Sequence, residues 1–238
     1  MKSIKLFLLS ICLLMVSDYT FAHALWIETN TIGKVGQSHE VKVYYGEYVN
    51  NERETTDKWY SDVKNFNLYL TSPGKESIKL ETIAGKDFYK ASFIPEQDGI
   101  YHLTIVHTAK DLGGTTKYEF SSLANVSVGK PNMIDTGTIA NSLKISTANV
   151  KHFKVNEDIK VNASLNGEVL KNKVISVFSP SGWAKEYVTD EDGNITIKPI
   201  WSGRYVIEVS NREKVSGLHH GKDFTAAWQG ATSTFEVK

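Results

Sequence analysis

His23 has the most chemistry to offer in this chain, because it follows Thr20-Phe21-Ala22, an ending at which an export leader can be cut. Cleavage after Ala22 would make His23 the first residue and give it two nitrogen donors, the freed α-amino group and imidazole Nδ1. Together these can close a chelate ring on one metal ion. Amine and imidazole nitrogens suit nickel, cobalt, copper or zinc, whereas carboxylate oxygens alone favour magnesium or calcium. Cleavage after Ala24, which Ala22-His23-Ala24 also permits, would discard the histidine; Thr20 and Ala22 at the −3 and −1 positions favour the first cut. Leu25 would then be third, so the amino-terminal copper/nickel site that requires a third-position histidine is excluded. Further ligands must come from loops.

Two long loops offer them. Residues 46–63 hold Glu47, Glu52, Glu54, Asp57, Trp59 and Tyr60, and residues 211–225 hold His219 and His220, an uncommon adjacent pair. Binding residues gather on such loops above a rigid scaffold. Strand alternation places His23, Glu47 and His107 at one end of a sandwich and His39 and His102 at the other. Stacked end to end, a second domain would bring its 211–225 loop to the His39 end; folded side by side, it would bring it to His23. The side-by-side arrangement is preferred, giving a metal set of His23, His107, His219, His220 and Glu47. Trp59 is the aromatic most suited to contact a ligand, and Trp26, Trp183, Trp201 and Trp228 read as core or sandwich-edge residues.

The elements that must position these residues are strands. Residues 1–22 show Lys2 and Lys5, an apolar run over 6–16 and a polar end, the pattern of a cleaved signal peptide. The run is too short to span a bilayer, and no later segment approaches about 20 apolar residues. An integral membrane protein is therefore not expected. Cys12, the only cysteine, lies inside this leader, so the exported chain has no disulfide or thiolate site. Lysine plus arginine (27) balance aspartate plus glutamate (27), leaving no basic field for nucleic acid.

Beyond the leader, short β-branched and aromatic runs are broken by Gly, Asn, Asp and Pro, with no sustained helical period. Strands are expected at 25–29, 40–45, 66–70, 78–82, 88–93, 99–107 and 117–128, and again at 143–147, 158–165, 173–179, 184–189, 194–199, 203–210 and 226–237. Asp98-Gly99-Ile100-Tyr101 and Ser202-Gly203-Arg204-Tyr205 each read as a tyrosine corner at the sixth strand of an immunoglobulin-like sandwich. The expected fold is all-β, with two tandem immunoglobulin-like antiparallel β-sandwiches after the signal peptide: residues 23–129, a linker over 130–141, and residues 142–238.

The start motif Ala22-His23-Ala24-Leu25-Trp26-Ile27-Glu28, the segment Val43-Tyr44-Tyr45-Gly46-Glu47 and the two β-domains resemble the periplasmic components encoded beside energy-coupling-factor nickel/cobalt transporters, part of a broader family of unknown function. The resemblance implies a periplasmic, non-enzymatic protein that binds nickel or cobalt and assists uptake through a membrane transporter. Its start motif carries over onto His23 alone. Two other classes stay open: a structural or adhesive β-sandwich protein, since fold alone does not give function, and an amino-terminal-histidine copper oxidase or carrier. No serine sits in a recognisable nucleophile elbow.

Overall fold

The computed structural model describes residues 23–130 and 142–238. The expected signal peptide and all of the expected linker beyond Lys130 lie outside the described residues. The first half contains β1 (Ala24–Thr29), β2 (Ile32–Gly33), β3 (His39–Glu47), β4 (Glu52–Arg53), β5 (Leu68–Thr71), β6 (Ser77–Leu80), β7 (Ile83–Ala84), β8 (Tyr89–Phe93), β9 (Gly99–Thr108) and β10 (Thr116–Val128). The second contains β11 (Leu143–Thr147), β12 (Ile159–Leu165), β13 (Glu168–Val169), β14 (Val174–Phe178), β15 (Ala184–Val188), β16 (Asn194–Ile197), β17 (Gly203–Glu213), β18 (Gly217–His219), β19 (Lys222–Phe224) and β20 (Ala226–Val237). The protein is all-β, and no helix among the described residues is long and apolar enough to cross a membrane.

Alternating apolar residues form these strands because every second side chain faces a core. One core collects Leu25, Ile27, Val41, Val43, Leu103 and Ile105, and the other Ile145, Val161, Ile175, Ile207 and Phe235. Both expected tyrosine corners are present: the Tyr101 hydroxyl donates to Gln97 O (3.0 Å) and that of Tyr205 to Trp201 O (3.1 Å).

The two sandwiches are not independent. β10 and β20 pair in parallel, from Thr116↔Ala226 to Leu123↔Ser233, and so join strands of both halves into one sheet in the order β15-β14-β17-β20-β10-β9-β5-β6. The halves therefore lie side by side. Sheet β1-β3-β8-β7 covers one part of this shared sheet, and β11-β12-β13, with β16 paired to β12, covers the other.

β1 crosses above the β10/β20 seam. Small residues there, Ser122 and Thr232 among them, let it approach closely and satisfy its open edge, which would otherwise be left unpaired. Thr232 Oγ1 donates to Leu25 O (2.7 Å), Thr234 Oγ1 to Ile27 O (2.9 Å), and Ile27 N to Ser122 Oγ (3.1 Å). On its outer face, fully buried Trp26 packs with Tyr44 against Phe178 and Val206 of the second half. Burial of a side chain this large contributes about 2–3 kcal/mol. Glu28, one step further, accepts from Arg204 Nη1 (2.7 Å), Arg53 Nη2 (3.0 Å) and Trp26 Nε1 (2.9 Å). Burial opposes its ionisation, but these three donors outweigh it and hold the Glu28 carboxyl below its usual range. β1 is thus clamped along its length, and His23 projects from its start.

Candidate functional site

Sheet register builds the site. Ala24 pairs with Gly46 in β1/β3, so the same ladder carried back one residue sets His23 beside Glu47. In β3/β4, Gly46 pairs with Arg53 and Glu47 with Glu52. Gly46 makes that fold-back possible: its φ is +147°, and a Cβ there would lie 2.4 Å from Glu52 O. Glu54 N then donates to Tyr45 O (2.9 Å), and Trp59 Nε1 donates to Glu54 O (3.1 Å). The short β4 therefore swings two carboxylates from the long loop onto the strand that bears the histidine.

His23 Nε2 lies 3.3 Å from Glu54 Oε1 and Nδ1 lies 3.8 Å from Glu47 Oε1, while the ring leans on Tyr45 with centroids 5.4 Å apart. His23, Glu52 and Glu54 each offer a ligand atom within 4.8 Å of the other two. His23 and Glu54 are half-buried and Glu52 is exposed. An imidazole with two carboxylates fits zinc, cobalt or nickel, combining a borderline nitrogen with hard oxygens. Beside it opens a cleft of about 400 Å³, with walls from Tyr45, Tyr60, Tyr118, Phe120 and Trp228 and with Lys58 among its lining residues. Burial raises the pKa of the Tyr45 and Tyr60 phenols, so both stay neutral at physiological pH.

Of the other expected ligands, Glu47 stands 3.8 Å from His23 Nδ1, and His107, His219 and His220 are outside the His23–Glu52–Glu54 cluster. His107 Nε2 lies 3.0 Å from Asp62 Oδ1, an oxygen that also accepts from Lys110 N (2.8 Å). Burial would raise the Asp62 pKa, but the Lys110 amide and His107 outweigh it and lower it. His219 Nε2 donates to Ala109 O (2.8 Å), so the second half does reach the His107 end, as a side-by-side arrangement requires. A carbonyl can only accept, so Nε2 of that ring carries the proton. His220 and Gly221, both at positive φ (48° and 78°), form the turn of the β18/β19 hairpin, and the histidine pair is part of that turn. His39 and His102 are buried, bonded to Asn30 O (3.0 Å) and Asn125 Oδ1 (2.7 Å).

One tryptophan departs from the expectation. Trp59 is buried in the first core against Tyr45 and Tyr89. Trp228 packs against the first core, as expected, and also lines the cleft. Glu52 and Glu54 were visible as acidic loop residues, but a two-residue strand leaves no period from which their position could be read.

A family model matches residues 20–213. The chain belongs to the DUF4198 family. That family is described as a domain of unknown function, and nothing in the match concerns nickel, cobalt or transport. No curated protein matches. Among solved structures, a two-domain fibronectin type III segment of chicken tenascin is 10% identical, covers 88% of this chain and 97% of that chain, and has a TM-score of 0.26. A mutant Salmonella alpha-2-macroglobulin is 8% identical, with 91% of this chain and 15% of that one covered, at a TM-score of 0.28. The methylamine-reacted form of the same Salmonella protein gives 8%, 93%, 15% and 0.27. This chain thus spans about a seventh of the alpha-2-macroglobulin chains.

Proposed function

We propose that this chain is an exported, periplasmic protein that binds a divalent transition metal, nickel or cobalt, and passes it to a membrane uptake transporter without catalysing a reaction. The observation that carries the reading is the convergence of His23, Glu52 and Glu54 within 4.8 Å at the start of the first strand. Removal of residues 1–22 would free the α-amino nitrogen of His23, which with Nδ1 could chelate an ion on the Glu47 side of the ring. Glu52 is exposed, so a bound ion has a route to a partner that needs no unfolding. Nickel and cobalt are chosen over zinc and copper on the resemblance of residues 22–28 and 43–47, since the donors themselves admit all four.

The test is native mass spectrometry of protein exported with its own leader, with nickel, cobalt, copper and zinc added in turn. The expected result is a mass beginning at His23 with one nickel or cobalt retained, and a loss of at least about tenfold in affinity for His23→Ala, worth about 1.4 kcal/mol. Unchanged affinity in that variant would remove His23 from the site. Preferential copper binding with reductant-dependent oxygen consumption would favour the copper oxidase instead.

A further inference from the structure

The cleft beside His23 is larger and more apolar than a bare ion needs. His23, Glu52 and Glu54 supply three donors, so a six-coordinate ion keeps three positions open. Water in those positions would take about 30 Å³ each, yet the cleft holds about 400 Å³, within the range of small-molecule sites.

Its wall is built of rings that are held in place. Tyr118 and Phe120 pack on Trp228 with centroids 5.6 Å apart in both pairs, and Tyr60 meets Tyr118 edge-on at 6.0 Å. Two glycines make room for them. A Cβ at Gly230 would lie 2.2 Å from Trp228 Cη2, and one at Gly113 would lie 2.4 Å from Tyr118 Cε2. The Tyr60 hydroxyl donates to Asp111 O (3.0 Å), which ties the loop to the β9–β10 turn and leaves the ring as wall. A wall arranged before binding lowers the ordering cost for a flat ligand. Lys58 is exposed, lines the same cleft, and makes no ion pair among the described residues.

We propose that the site takes its metal as a one-to-one complex with a small, planar, carboxylate-bearing organic chelator. The chelator fills the open coordination positions, its ring lies on the Tyr118–Trp228 wall, and a carboxylate meets Lys58. This inference rests on the metal-binding reading above and adds the form in which the metal arrives.

Pyridine-2,6-dicarboxylate, flat and tridentate, is the probe. Isothermal titration and native mass spectrometry would compare aqua nickel with its one-to-one nickel complex. The expected result is a ternary species of protein, nickel and dicarboxylate, at least tenfold tighter than aqua nickel. Trp228→Ala and Lys58→Gln should each weaken the ternary species severalfold and leave aqua nickel within twofold. Lys58 is exposed, so its substitution reads the contact without disturbing a core. If the dicarboxylate strips nickel and leaves metal-free protein, or if both variants bind the complex like the parent, the chelate inference fails while metal binding stands. If the parent protein retains nickel in neither form, the metal-binding reading fails with it.

Discussion

Replacing Glu208 with glutamine should stabilise the metal-free protein, and only at neutral and alkaline pH. Glu208 lies on β17 opposite Thr232, half-buried, and lines a small cavity with Ala24, Trp26 and Glu47. The cavity holds about 20 Å³, room for about one water. Burial, reinforced by the Glu47 carboxylate, pushes the Glu208 carboxyl up from 4.5 to about 7. Each tenfold change in the ionisation equilibrium is worth about 1.4 kcal/mol, so forcing the charge on the folded state costs up to about 3 kcal/mol. Residual solvent contact screens part of this, leaving about 2 kcal/mol. The sign follows from linkage: the folded state holds a proton that the unfolded state has lost, so the favourable contribution is complete below pH 4.5 and is lost as pH rises through 7. Chemical unfolding of parent and Glu208→Gln proteins at pH 4.5 and pH 8 measures it. The variant should match the parent at the lower pH and exceed it by about 2 kcal/mol at the higher, with a smaller gain for Glu47→Gln. An equal difference at both pH values, or a variant weaker at pH 8, would refute the reasoning.

Two further outcomes test how the site is held. Glu28→Gln leaves Arg53 facing a neutral partner and Arg204 with only Glu236 to balance it, and should destabilise the protein by about 1–3 kcal/mol. Because the folded pKa of Glu28 is depressed, its contribution is present above pH 4.5 and is lost on acidification, so parent and variant should converge in acid unfolding curves. Gly46→Ala should unseat β4 by its clash with Glu52 O and cost about 1–3 kcal/mol. It should also lower nickel affinity in titration as far as His23→Ala does; retained affinity would show that the fold-back does not place Glu52 and Glu54.

Much of the fold is legible in the chain because strand burial has a period of two and the tyrosine corners have a local signature. Leu25, Ile27, Val41 and Val43 alternate into the first core, and Tyr101 and Tyr205 each bond to the residue four back. The short strands and the continuous sheet are not legible. Glu52–Arg53 is too short to carry a pattern, and the β10/β20 pairing joins residues 110 positions apart, a partnership that no local spacing encodes.

The sequence by itself determined that the protein is all-β in two halves, and it singled out His23, because residue type, strand period and the pattern of an expected leader's ending are local properties. Only the tertiary structure decided what stands beside His23. Gly46 turns β4 back to bring Glu52 and Glu54 there, while the parallel seam carries Trp228 from the second half onto the wall of the same cleft. Those neighbours are set by ladder register and by packing between distant strands, which act through space and leave no trace in sequence spacing.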